Sequence, residues 1–350
     1  MALRIAQALS LHIPHPPFPL DPFEREMRRR LWHAIGMLDV QAALDRASEP
    51  MMMTSWLQSH PPSNINDDGI AFHSSDALAT GSESFTDTTF TLIISKAQCV
   101  VRLLNFGDLM EPGIEHMHMR QECVVDFQKT ASQLLHNCQP DTDPFHWYAR
   151  QVADCLVASM QLVSLRPMQR SARFTPPHIR GDGLLKLSVE VLQKIQALHH
   201  DPRSRPWRWF EGIFVPWHVL AVAIAELCVC EDPALMENCW STVESAFARF
   251  CAKVENYQQG LLWKPMEKLM ARARSRRDEF LRSSIPFTPM ALQGSELAGQ
   301  TSPVAMPSND NLDPELNLWD VVDFNGGRDI DDICTSWPDY KDFLDDLQNN

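Results

Sequence analysis

Histidine pairs, a glycine-bracketed acid and a run of arginines are the groupings in this sequence whose residue types could do chemistry. "HMH" sets His116 and His118 two residues apart, and His199 and His200 are adjacent. Neighbouring imidazoles are the beginning of a metal site. Neither pair has the i,i+4 spacing that puts two ligands on one helix face, and no acidic ligand falls at a matching offset, so surface histidines are expected. Gly181-Asp182-Gly183 is too short for a phosphate cradle and precedes a helix with no strand before it, which predicts a turn and cap. Arg28, Arg29 and Arg30, within "PFEREMRRRLWHAIGMLDVQAALDRASEP" (Pro22 to Pro50), have the charge to hold phosphates. The chain shows no nucleophile elbow, no glycine-rich nucleotide fingerprint and no acid pair beside a histidine. No catalytic residue, no cofactor-binding residue and no metal ligand is therefore assigned, and an enzyme is not expected.

Charge argues against a phosphate-binding role for the whole chain. The 350 residues carry a net charge of -14. Between Asp310 and Asn350 there are twelve Asp and Glu against Arg328 and Lys341, so -10 of that charge sits there and -4 is left for the other 309 residues. Nine cysteines, at positions 99, 123, 138, 155, 228, 230, 239, 251 and 334, form no Cys-x-x-Cys pair and lie mostly in apolar helical runs. That pattern suits reduced, buried thiols of a cytosolic or nuclear protein rather than a disulfide framework. "MALRIAQALSLHIPH" has no convincing cleavage site, so no signal peptide is expected. "IFVPWHVLAVAIAELCVC" (Ile213 to Cys230) contains Pro216, His218 and Glu226 and reads as a buried core helix rather than a membrane span.

The helical period recurs along the chain, and strict alternation is scarce, so an all-α fold is predicted. Ala2, Ile5, Ala6 and Leu9 mark a short first helix. Asp21 as N-cap, Pro22 at the first position and Glu24 as N3 acid open a second, running to about Ala47. A polar loop is expected from Ser59 to Asp87. Helices are expected over about 88–106, 112–137, 144–166, 183–200, 208–230, 234–257 and 262–282. After Arg282 the composition becomes that of a flexible, disordered linker (283–309) leading to the acidic tail (310–350). "KLMARARSRRDEF" (Lys268 to Phe280) reads as a solvated face beside Leu269, Ala273 and Phe280, or as a nuclear-import patch.

On the second helix Arg28, Trp32, Ile35, Asp39 and Ala42 share one line, with Met27, Leu31, Ala34 and Leu38 beside it. Trp32, Leu31, Ile35 and Leu38 are expected to be buried. Arg28 and Asp39 are about 16 Å apart along the axis and need separate partners. Glu24–Arg28 and Glu26–Arg30 are i,i+4 pairs of the exposed kind.

"EREMRRRLWHAIGMLDVQAALDRASEP" resembles the signature of the fungal-specific transcription factor domain, the middle homology region behind binuclear zinc clusters. Glu26, Arg28, Arg29, Arg30, Leu31, Trp32, Asp39, Ser48 and Pro50 occupy its acid, arginines, Leu-Trp, Asp and small-residue turn. Upstream, Ala2, Ala6, Leu9, Leu11 and His12 match an amphipathic helix. Downstream, Pro62, Asn64, Ile65, Asn66, Asp67 and Asp68 match a "P.NINDD"-like stretch. The departures are His33 for a second aromatic, Asp39-Val40 for an Asp-Arg pair, and "SEP" for the Gly-Arg-Pro turn. The match covers roughly the first 70 residues.

The resemblance implies a helical regulatory domain over 1–282, N-terminally incomplete, with the arginine helix as a core element and its arginines paired within the fold. The six-cysteine, two-zinc DNA-binding cluster of such regulators has no counterpart here, so zinc is expected only with a cluster upstream, and DNA contact only through it. The chain reads as a stand-alone regulatory half or as the product of a gene missing its 5′ end. Members of the family often lie beside biosynthetic genes of secondary metabolism.

The tail interleaves Trp319, Phe324, Trp337, Tyr340, Phe343, Leu344 and Leu347 with aspartates. Acid keeps the aromatics solvated, and the aromatics supply anchors for a partner's groove, which is the composition of a transcriptional activation segment. Two functions follow. One is a nuclear transcription regulator that contacts coactivators and forms homo- or heterodimers. The other is a helical interaction module without DNA binding of its own, such as a dominant-negative partner of a full-length regulator. Neither involves a membrane.

Overall fold

The computed structural model describes residues 2–46, 48–58, 61–69, 84–105, 113–167, 176–177, 179, 182–211, 217–255 and 263–283. Among them are eleven α-helices, two 3-10 segments and no strand. The helices are α1 (Ala2–Ala8), α2 (Pro22–Arg46), α3 (Thr54–Gln58), α4 (Thr89–Asn105), α5 (Met117–Leu134) and α6 (Pro144–Leu165). They continue with α7 (Gly183–His200), α8 (Arg208–Glu211), α9 (Trp217–Val229), α10 (Pro233–Glu255) and α11 (Trp263–Ser283). Ser283, expected to open the linker, is the last residue of α11, and the rest of the linker and the tail, with Trp319, Phe324, Trp337, Tyr340, Phe343, Leu344 and Leu347, lie outside the described residues.

Helix starts follow their caps. Asp21 Oδ1 accepts from Glu24 N at 2.6 Å ahead of Pro22, and Asp143 Oδ1 accepts from Phe145 N at 2.7 Å ahead of Pro144. Each supplies an acceptor to an otherwise orphaned N–H, and the proline at the first position has no N–H to lose. Of the stretch 208–230 expected as helix, α8 and α9 are the described parts, and residues 212–216 lie outside the described residues. The short α3 was not foreseen. Five residues are too few for a periodic signal, and its burial of Thr54 and Leu57 against the rest of the fold is what holds it.

Two large apolar clusters make most of the core, and two smaller ones lie beside α2. Of the large ones, one joins the end of α6 to α7, α9, α10 and α11, and the other joins α4, α5 and α6 to Phe210 of α8. The thirteen-residue α9 is central to the first, with Val219 to Ala225 all buried. No helix among the described residues is long and apolar enough to cross a membrane.

Candidate functional site

The three sequence segments that carry the motif converge on the N-terminal half of α2. Glu26 is fully buried, and its carboxylate accepts from Ser63 N at 3.1 and 3.2 Å and from Arg30 Nε at 3.2 Å, with Arg29 at 3.8 Å. It is thus no exposed helix pair. A buried carboxylate is tolerable only with such partners. Arg30 reaches on to Asp67 Oδ1 at 2.6 Å and Thr88 Oγ1 at 2.7 Å, and burial is more than offset by these partners, so its pKa is raised. Asn64 accepts from Thr86 and Thr89, Asn66 accepts from Asp87 N, and Thr88 donates to Ile65 O at 2.8 Å. The stretch around 62–68 is thereby fastened to the start of α4. Arg28 donates to Leu9 O at 2.6 Å, lies 3.8 Å from Glu24, and covers the Phe18 ring at 5.3 Å, tying α2 to the chain after α1.

One turn pair further along, Asp39 accepts from Met51 N at 3.0 Å and Met52 N at 2.9 Å, fixing the chain after Pro50, which is itself buried. The buried Arg102 of α4 meets Asp39 at 3.3 Å and donates to Gly36 O at 2.6 Å. His33 and Ser95 are hydrogen-bonded between the same helices. The helices approach closely at Gly36, where a Cβ would stand 2.7 Å from Gln98 Oε1 and 2.8 Å from a Leu57 methyl. Gln98 is held by Arg102 and by the His33 carbonyl, so it has little room to move. Gly36→Ala should lower stability by about 1–3 kcal/mol through overpacking, although alanine is the better helix former by about 1 kcal/mol. The urea midpoint of the full chain measures this, and an unchanged or raised midpoint would mean the α2–α4 approach is slack.

The buried face of α2 differs from the expected one. Trp32 is buried and Ile35 half-buried, but Leu31 is 49% exposed and Leu38 55%, in line with the exposed Met27 and Ala34. Inward instead point Glu26, His33, Gly36, Val40 and Ala43. The specific polar partners of Glu26, His33 and the Gly36 carbonyl set the rotation, and leucines lose less by facing water than those groups would by losing partners.

Two further features had no signal in the sequence. Arg120 of α5 is buried and donates to Leu104 O at 2.7 Å, Ile114 O at 2.9 Å, Val163 O at 3.0 Å and Ser164 O at 2.9 Å. It satisfies carbonyls at the C-terminal ends of α4 and α6, where a helix has no N–H donors of its own for its last carbonyls and favours a cation. Burial lowers its pKa to about 10, so it stays charged at neutral pH. The second feature is a cavity of about 410 Å³ at the junction of the two core clusters, walled by α2, α4, α6, α7, α8, α9 and α10. Its lining is mostly aliphatic and aromatic, including Val40, Tyr148, Phe210 and Trp217. His218, the second residue of α9, also lines it. That imidazole is 4% exposed, and neither ring nitrogen has a hydrogen-bond partner. Burial lowers its pKa to about 4, so it is neutral at pH 7; the backbone of Arg166 opposes that shift without making a hydrogen bond of good geometry.

The other candidates are accounted for within the fold. His118, contrary to expectation, does have an acid at a matching offset, Glu122 at 3.4 Å, but both are exposed on α5. His199 and His200 stack edge to face at 5.6 Å. Among the described residues no three His, Cys, Asp or Glu gather as a metal site. On α11, Arg277 forms a two-pronged ion pair with Glu237 at 2.6 and 2.7 Å and covers Trp240, and Arg274 lies 3.5 Å from Glu244, so part of the basic face is committed to α10.

These observations define an all-α domain whose charged motif residues hold backbone and neighbouring helices together. No family model and no solved structure matches the chain. It is similar to the C6 finger domain transcription factor nscR of Trichophyton verrucosum, with 32% identity over 355 residues, 99% of this chain and 51% of that protein. The factor of the same name in Arthroderma benhamiae is 35% identical over 283 residues, 79% of this chain and 38% of that protein. The C6 finger domain transcription factor adaR of Aspergillus niger is 32% identical over 330 residues, 87% of this chain and 40% of that protein. The chain spans about half the length, or less, of these curated relatives. Over most of its own length it is thus a homologue of fungal C6 finger transcription factors. Cys228, Cys230 and Cys239 are buried in the apolar core, where burial raises the Cys230 and Cys239 thiols above their ordinary pKa.

Proposed function

We propose that this chain is the regulatory and activating part of a fungal transcription regulator working in the nucleus. The supporting observation is the similarity to a C6 finger transcription factor over 99% of the chain, a share that takes in nearly all of the acidic tail. The helical body, residues 1–282, is the regulatory domain, and 283–309 the linker. Residues 310–350 contact coactivators through Trp319, Phe324, Trp337, Tyr340, Phe343, Leu344 and Leu347. Sequence-specific DNA contact belongs to a six-cysteine finger, which these 350 residues do not contain. The role is regulatory rather than catalytic.

Fused to an unrelated DNA-binding domain, the full chain should activate a reporter. Replacing Trp337, Phe343 and Leu344 together with alanine should abolish that activation, because Trp337 and Leu344, seven residues apart, would fall on one face of a helix formed on binding, with Phe343 beside Leu344. If the triple variant activates as well as the parent, the tail is only a solubilising appendage, and the helical interaction module without activating power becomes the better reading.

A further inference from the structure

Protein interiors are packed to the density of organic crystals, with few voids much larger than a water molecule. A part-open cavity of about 410 Å³ between two core clusters is far larger than such a void. It falls instead within the roughly 300–1,000 Å³ of small-molecule sites, which are apolar with a few placed polar groups. The polar groups here are unequal. Tyr148 donates to Trp207 O, Gln98 holds the His33 carbonyl, Asn105 donates to Val101 O, and Arg249 is engaged within the protein. His218 alone among these has both ring nitrogens buried without a hydrogen bond of good geometry, the backbone of Arg166 being the one polar group that acts on it. A neutral imidazole offers one N–H and one lone pair, and burying both unmet is costly.

We propose that this cavity binds a neutral, largely apolar small molecule bearing a hydroxyl or phenol group, which His218 anchors by hydrogen bonding. An apolar body is required because the walls are aliphatic and aromatic, with Tyr148, Phe210 and Trp217 offering ring faces. Neutrality is required because such walls cannot solvate a charge. A hydroxyl suits His218 in either tautomer, since it both donates and accepts. The molecule would touch Val40 and Leu44 of α2 on one side and α9 and α10 on the other, so it would bridge the motif helix to the larger cluster. The inference rests on the cavity and not on the transcriptional reading.

The test is a fluorescence titration of the purified 350-residue chain with 1-hydroxypyrene and with pyrene, which differ only in the hydroxyl. Both should saturate one site, the hydroxylated probe binding about tenfold tighter. His218→Leu should erase that preference and leave pyrene binding as it was. Ala246→Leu, which places bulk in the cavity wall, should weaken both probes. Equal affinity of the two probes for the parent chain, a preference that survives His218→Leu, or no saturable binding of either probe to the folded parent would overturn the proposal.

Discussion

Arg120→Met should lower the stability of the chain by about 3–5 kcal/mol, the range for removing one member of a buried charged network. The guanidinium spans four carbonyls from three segments, the ends of α4 and α6 and the approach to α5. Methionine has a similar reach and gains some apolar contact, but it donates to none of them. Each carbonyl left buried without a donor costs about 1–3 kcal/mol, less whatever water can reach it. Arg120→Lys should recover part of the loss, because an ammonium has three donors on one atom and cannot span the same fan of acceptors. Urea midpoints of the three chains decide this. A loss below about 1 kcal/mol in the methionine variant would show that the helix ends are satisfied by other means.

Arg120 also marks where sequence reading stops. It sits in "HMRQECVV" without periodic or capping significance, because its partners are main-chain atoms, which every residue has. The local signals fared differently. Asp21-Pro22 and Asp143-Pro144 announce their helices because a cap and its N–H groups lie within three residues of each other. The cavity is illegible for the opposite reason, since it is a mismatch among seven helix surfaces and no single segment encodes it. His218 reads in sequence as a polar residue in an apolar run, and only its surroundings show that it lacks a partner. The motif residues were legible as a set, but their geometry was not. Glu26 looked like half of a surface pair and proves to be the buried acceptor for Ser63 and Arg30.

The rotation of α2 yields the other large effect. Trp32→Ala should cost about 3–5 kcal/mol, as a large-to-small change in a packed core. Trp32 is 3% exposed, packs in one cluster with Ala6, Leu11, Met52 and Leu57, and donates from Nε1 to Trp56 O at 3.2 Å. Its removal leaves a void at the joint between α1, α2 and α3 and an unmet carbonyl on α3. Leu31→Ala and Leu38→Ala, one residue before it and six after, should each stay within about 0.5 kcal/mol because these side chains already face water. A wheel drawn from apolar residues alone puts all three on one buried stripe and forecasts three comparable losses. The midpoints therefore separate two causes of helix orientation. If the two leucine variants lose as much as the tryptophan variant, hydrophobic periodicity sets the face of α2. If they lose little, the face is set by Glu26, His33 and the Gly36 carbonyl, whose partners on neighbouring segments allow only one rotation.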